Sequence, residues 1–213
     1  MKFDRNSLLL YAITDRTWLG QKTLADEVER ILKAGVTFLQ LREKNLAKEQ
    51  FLQEAKAIKK LTDLYHVPFV INDNVEVAKE CGADGVHVGQ SDLQARDIRR
   101  LLGPDKIIGV SARNVEQAQK AKESGADYIG VGAVFGTKTK ADANYVSIDE
   151  LKTICKSVDI PVVAIGGINE TNVMQLQGSG IDGVSVISAI FAKPDVTKAT
   201  KNLLSLAKTI KGR

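Results

Sequence analysis

Short runs of apolar and β-branched residues alternate along this chain with longer segments whose apolar positions recur at helical spacing. The alternation repeats eight times. The strand candidates are Leu8 to Thr14, Phe38 to Arg42, Phe69 to Asp73, Val86 to Gln90, Ile107 to Ser111, Tyr128 to Phe135, Val162 to Gly167 and Val184 to Ser188. A helix candidate follows each of them. Asn114 with Gln117, and Ser147 with Glu150, have capping-box spacing, and Pro194 suits the first turn of the last helix. Between the third and fourth strands a helix-like segment closed by Gly82 supplies the crossover that parallel strands need.

A weak internal repeat supports the count of eight. Glycines end the helices before the even-numbered strands in similar phrases: KAGVTFLQL, ECGADGVHV, ESGADYIGV and GSGIDGVSV. They are Gly35, Gly82, Gly125 and Gly180, at intervals of 47, 43 and 55, which suit pairs of strand–helix units and exclude short solenoid repeats. Eight such units in 213 residues without a linker predict a closed (β/α)8 TIM barrel, with residues 1–213 as a single domain. The runner-up is an open doubly wound sheet, disfavoured because no G-x-G-x-x-G follows the first strand. In either architecture ligands gather where the strands end.

Composition narrows the partners. Thirty basic against 26 acidic residues leave +4, dispersed along the chain, and aromatics make up 5%. That is too little cation and too little stacking surface for nucleic acid, while a local cationic pocket for small phosphorylated molecules is compatible with it. The longest apolar run near the start, Leu8 to Ile13, is six residues, too short for a secretory core, and nothing later approaches a membrane span. Cys81 and Cys155 lack metal or redox spacing and read as small buried thiols. A cytoplasmic protein is expected, and oligomeric state is left open.

The strand ends carry the chemistry. After the second strand, QLREK places Gln40, Arg42 and Lys44 on one side and Leu39 and Leu41 on the other. An arginine can grip a phosphate through two parallel hydrogen bonds and a lysine adds a mobile charge; a rim salt bridge is the competing role. Asp73 and Asp92 end the third and fourth strands, and if these are neighbours both acids emerge at one end of the sheet. Oxygen-only ligands suit magnesium, whereas NDN and SD could equally cap the next helices. His87 reads as a core group or a support for neighbouring side chains, and Ser111 as a polar contact without a base. Trp18 reads as packing beneath its loop, and Tyr11 and Ile13 as barrel wall. The polar connection GTKTKADANYV suits a lid over anions. IGGI and VIS, ending strands seven and eight, suit a phosphate held by backbone N–H groups.

Taken in order, QLREK, IND, HVGQSD, GVS, TKTK, AIGGI and VIS resemble thiamine phosphate synthase over nearly the whole chain. The resemblance implies a barrel that joins 4-amino-2-methyl-5-hydroxymethylpyrimidine diphosphate to 4-methyl-5-(2-hydroxyethyl)thiazole phosphate, with release of pyrophosphate. Carried onto matching positions, it implies that Gln40, Leu41, Arg42, Glu43, Lys44, Asn72, Ser111 and Lys140 hold the pyrimidine diphosphate. Arg42, Lys44, Lys140 and Ser111 would be the catalytic groups. Asp73 and Asp92 would hold Mg2+, and Thr137, Lys138, Thr139, Gly167, Ile187 and Ser188 the thiazole phosphate. The exit VFGTKTK lacks the proline that many relatives place before the first threonine, and solvent contact is the default for Lys138.

Two other functions compete. The related thiazole tautomerase carries a histidine shortly after the serine that ends strand five, where this chain has Ala112 and Arg113. A non-catalytic phosphate-binding barrel is the third reading.

Overall fold

Each apolar run becomes a short strand, and all but the fifth, which runs on through Ser111 to Ala112, stop short of the predicted end. In the computed structural model, which describes residues 4–90, 95–136 and 145–212, the strands are β1 (Leu10–Ile13), β2 (Phe38–Leu41), β3 (Phe69–Asn72) and β4 (Gly85–Val88). They continue as β5 (Ile107–Ala112), β6 (Tyr128–Val131), β7 (Val162–Ile165) and β8 (Gly183–Val186). Every neighbouring pair is parallel in chain order and β8 pairs with β1, so the sheet closes into a (β/α)8 barrel. Leu8 and its neighbours leave the strand for a 3-10 turn, Arg5–Leu8, whose start is capped by Asp4.

The crossovers are α1 (Leu24–Lys33), α2 (Lys48–Leu64), α3 (Val75–Cys81), α4 (Ala95–Leu102), α5 (Val115–Glu123) and α6 (Ile148–Ser157). The seventh is a 3-10 turn, Val173–Leu176; β8 leads into α7 (Ser188–Phe191) and α8 (Val196–Ile210). Asn114 and Ser147 cap α5 and α6 as their spacing predicts, each accepting the N–H three residues on. Pro194 does not lie in the first turn of α8. Asp195 is that helix's cap, accepting from Thr197 and Lys198, and the proline precedes it.

Side-chain alternation divides the interior in two. Leu39, Leu41, Ile71, Val86 and Ile108 face the helices in a continuous layer, where each buried aliphatic side chain contributes roughly 1.5–3 kcal/mol. A separate cluster that includes Tyr11, Phe38, Val70, Tyr128 and Val163 fills the barrel axis. Cys81 and Cys155 are free thiols, and burial pushes both upward from their ordinary pKa, Cys155 to about 11.

The repeated glycine phrase acquires a structural meaning at the barrel floor. Two residues after each helix-ending glycine stands Thr37, Asp84, Asp127 or Asp182. Thr37 Oγ1 accepts the Leu10 N–H at 2.8 Å, Asp84 the Phe69 N–H at 2.8 Å, Asp127 the Ile108 N–H at 2.7 Å and Asp182 the Val162 N–H at 2.9 Å. Each even strand therefore staples the start of the preceding odd one. The three acids each meet a cation as well: Lys59, Arg99, and Lys211 with Arg5. Polar side chains here satisfy strand N–H groups that the crossovers leave without a ladder partner.

Candidate active site

At the opposite end, the ends of β1 and β2 are laced together. Thr14, fully buried, donates its N–H to the Gln40 carbonyl at 3.0 Å, and its hydroxyl accepts the Arg42 N–H at 3.0 Å. This fixes where β2 releases its chain. Gln40 points inward and is 1% exposed, with its Nε2 donating to the Tyr11 hydroxyl at 2.5 Å. Arg42 is half-buried and Lys44 exposed.

Two cavities open at this mouth. The smaller, about 120 Å³, lies on the barrel axis among Gln40, Arg42, His87, Ser111 and Ser185. It is comparable to the ~150 Å³ engineered cavity that takes a benzene ring. Among the described residues the Ser185 hydroxyl, 3% exposed, has no hydrogen-bond partner, and Ser185 borders this space. The larger, about 810 Å³, lies beside it and is bordered by Trp18, Arg42, Lys44, Gly167, Ser188 and Lys193. Arg42 borders both.

Two residues of QLREK have side chains engaged within the protein, although Glu43 is among the residues bordering the large cavity. Leu41 is fully buried in the layer facing the helices, so only its backbone could meet a ligand at the mouth. Glu43 is committed elsewhere: its side chain is 4% exposed and accepts from Arg16 Nε at 2.8 Å, while Arg16 also pairs with Glu54. The cluster ties the loop after β1 to the start of α2. Burial, reinforced by the adjoining Glu54 carboxyl and opposed by Arg16, pushes Glu43 up to about 7.

That shift has a definite sign. The folded chain holds a proton that the unfolded chain releases near 4.5, so the Glu43 contribution to stability falls between about pH 4.5 and 7 and is level above. Glu43→Gln should flatten that part of the curve of Tm against pH. Thermal unfolding of both proteins at about pH 5 and about pH 8 checks it. An equal Tm difference at both values would remove the assignment.

At the end of β3, Asn72 lies level with His87 of the adjacent β4, and the next residue, Asp73, is exposed. The cap of α3 is Asn74, whose Oδ1 accepts from Val77 at 2.9 Å, so capping is not the role of Asp73. Asp73 instead has φ 59°, a left-handed conformation costing an ordinary residue roughly 1–2 kcal/mol, and its N–H donates to the His87 carbonyl at 2.9 Å.

Among the described residues no group of three or more His, Cys, Asp or Glu could hold a metal ion. Magnesium does not require one: it is commonly held by one or two carboxylates, with waters and substrate phosphate oxygens completing the shell. A hard, exposed oxygen donor at the rim that also carries Arg42 and Lys44 fits a cation shared with a diphosphate. Asp92, Thr137, Lys138, Thr139 and Lys140 lie outside the described residues.

Ser111 closes the ring of strand ends, with Oγ 3.0 Å from His87 Nε2 and its carbonyl accepting from Gln90. Gly167 has φ 65°, and its carbonyl accepts from the Asn169 and Asn172 side chains at 3.1 and 2.9 Å. A Cβ there would overlap the Gly136 carbonyl, so only glycine lets the β7 exit pass this close to the β6 exit. Ile187 borders the small cavity and Ser188 the large one.

A family model described as thiamine monophosphate synthase matches residues 10–190. The chain belongs to that family. Curated thiamine-phosphate synthases from Ruminiclostridium cellulolyticum and Methanobrevibacter smithii are each 50% identical to it over 197 residues, 92% of this chain and 94% of theirs. The solved thiamine phosphate pyrophosphorylase from Pyrococcus furiosus superposes with a TM-score of 0.90 at 39% identity, over 97% of this chain and 98% of that one. A 3-hexulose-6-phosphate synthase, at 17% identity and TM-score 0.67, covering 93% of this chain and 99% of its own, shares the fold alone. The chain is thus an enzyme of the thiamine-phosphate synthase family, a transferase of the thiamine-phosphate diphosphorylase class.

Proposed function

We propose that the chain couples 4-amino-2-methyl-5-hydroxymethylpyrimidine diphosphate with 4-methyl-5-(2-hydroxyethyl)thiazole phosphate, giving thiamine phosphate and pyrophosphate. The observation that carries this reading is the pair of cavities meeting at Arg42: one fits a single flat ring, and the other, with Lys44 beside it, offers room and positive charge for phosphates.

In this reading the pyrimidine enters the small cavity between Gln40 and Ser111, with its diphosphate directed to Arg42 and Lys44, and Asn72 contributes by its position in the sequence motif. The bond from the ring methylene carbon to the diphosphate oxygen breaks with its electron pair on oxygen. The thiazole nitrogen lone pair then closes the new carbon–nitrogen bond, so no side-chain nucleophile and no proton transfer is needed. Arg42 and Lys44, with Lys140 by sequence, stabilise the charge as it develops on the leaving group. Asp73, with Asp92 by sequence, would hold Mg2+, whose positive charge supplements that of the side chains when it is bound. Gly167 and Ser188, with Thr137 to Thr139 by sequence, hold the thiazole phosphate in the large cavity. The protein's remaining task is to keep water from the electron-poor methylene carbon and the thiazole nitrogen within near-attack distance.

The cations bordering both cavities favour coupling over tautomerisation of the thiazole alone, which needs no diphosphate grip. Small phosphorylated substrates, and the lack of a described helix long and apolar enough to cross a membrane, suit a cytoplasmic enzyme. The test is pyrophosphate release with Mg2+ present. Release that requires both heterocycles supports the reading, while isomerisation of the thiazole without coupling, or no release at all, overturns it.

A further inference from the structure

A TIM barrel's axis is ordinarily packed with branched aliphatic side chains. Here a connected row of polar groups crosses it. Gln40 Nε2 donates to the Tyr11 hydroxyl, which is 2.9 Å from the Tyr128 hydroxyl; that oxygen is 3.0 Å from His87 Nδ1, and His87 Nε2 is 3.0 Å from Ser111 Oγ. Gln40, Tyr11 and Tyr128 are 1%, 2% and 0% exposed. Two glycines make room for the rings. A Cβ on Gly109 would overlap the Tyr128 hydroxyl and press on His87 Nδ1, and one on Gly130 would sit 3.1 Å from the His87 ring. A core that gives up two side chains to seat a tyrosine and a histidine is built around their contact.

The row has a direction. The distances leave the donor between the two phenols open, but the Tyr11 oxygen already accepts from Gln40, and the order consistent with that sends the Tyr11 proton to Tyr128. In that order the Tyr128 oxygen accepts the Tyr11 proton and sends its own to His87 Nδ1, which lies 3.0 Å away. His87 then carries its proton on Nε2 and donates it to Ser111 Oγ, which turns the serine proton toward the cavity. At the other end, one of the two N–H groups of the Gln40 amide is spent on Tyr11, and its oxygen is left to accept from a ligand. Burial pushes both phenols above their ordinary pKa, so each remains a protonated donor.

We propose that Tyr11, Tyr128 and His87 are positioning residues that fix the polarity of Gln40 and Ser111, and thereby select a ring presenting an amino donor beside a ring-nitrogen acceptor. A 4-amino-pyrimidine has that order. Its 4-oxo counterpart, with an oxygen acceptor beside a ring N–H, has the reverse and meets acceptor against acceptor at Gln40 and donor against donor at Ser111. The inference rests on the pyrimidine half of the proposed reaction entering the small cavity.

The test begins with the ligand-free protein. The chain has two histidines, and His66 is exposed at the end of α2, so a His66→Asn comparison assigns the His87 signals. Nitrogen-15 NMR near neutral pH is expected to show the Nε2–H tautomer at His87. An Nδ1–H tautomer, the mark of the reversed row, or an imidazolium overturns the proposal. Tyr128→Phe, isosteric but without the hydroxyl, is expected to leave His87 a mixture of tautomers. It should also reduce the preference for the amino over the oxo diphosphate, read as a ratio of kcat/KM, by about 10-fold or more, chiefly through KM. An unchanged ratio overturns the selectivity claim. If His87 shows the Nε2–H tautomer but no coupling occurs with either diphosphate, the polarised row stands and the assigned substrate falls.

Discussion

Arg42→Ala is expected to lower kcat/KM for coupling by about 10²–10³-fold, the range seen when one preorganised stabiliser of developing charge is removed. The guanidinium is half-buried where the two cavities meet, while its backbone N–H is held independently by the Thr14 hydroxyl. Truncation therefore removes charge and leaves the β2 exit in place. Most of the loss should fall on kcat, because attraction between guanidinium and diphosphate grows as the carbon–oxygen bond breaks. Arg42→Lys should recover only part of it, since an ammonium cannot make two parallel hydrogen bonds to one phosphate. Steady-state kinetics with each substrate varied in turn provides the check. A raised KM with normal kcat would confine Arg42 to ground-state binding and remove its role in departure of the leaving group.

The barrel was legible because two periodicities alternate eight times and nothing in the chain interrupts them. Boundaries were less legible, for a physical reason. Alternation continues past the last ladder hydrogen bond, so Arg42, Asp73, Gly89 with Gln90, and Gly166 with Gly167 look like strand while already belonging to the rim. The glycine phrase was visible as a repeat, but its acid was not recognised, because the role of Asp84, Asp127 and Asp182 depends on a backbone N–H of the preceding odd strand, 15 to 20 residues away.

The same limit shaped the site. Side-chain direction along β2 separated Gln40, Arg42 and Lys44 from Leu41, and the structure agrees. Glu43 could not be read locally, since its partners Arg16 and Glu54 lie 27 residues before it and 11 after it. Tyr11 passed for barrel wall and Tyr128 for an ordinary strand residue. Their hydroxyls acquire meaning only where β1, β4 and β6 converge on the axis. A usable signal did exist: Gly109 and Gly130 interrupt otherwise bulky strands at inward-facing positions, and absent side chains there imply large ones opposite.

Gly183→Ala is expected to cost on the order of 4 kcal/mol or more, the range reached only by mutations with a severe, specific cause. Gly183 lies where β8 closes against β1, and an added Cβ would overlap the Leu8 carbonyl and stand 2.8 Å from the Leu9 Cα. Relief requires the two strands to separate, which weakens the Val184 N–H bond to Leu9 and disturbs Asp182 next door. Asp182, 7% exposed, accepts the Val162 N–H and lies 3.3 and 3.5 Å from Lys211 and Arg5, so the damage extends to the anchoring of α8. Set against a typical total of about 5–15 kcal/mol, this leaves little margin, and at roughly 2–4 °C per kcal/mol for a domain of this size Tm should fall by about 10 °C or more. Gly85→Ala should behave alike, because its Cβ would overlap the Ile107 carbonyl in the equivalent position of β4 against β5. Both glycines lie at the floor of the barrel, away from the mouth, so whatever fraction remains folded should turn over at the normal rate. Circular dichroism melts of the two variants, with kcat measured below their transitions, test the separation. A Tm within about 2 °C of the parent would mean the strand seams tolerate a methyl group, and the steric account of these two glycines would be lost.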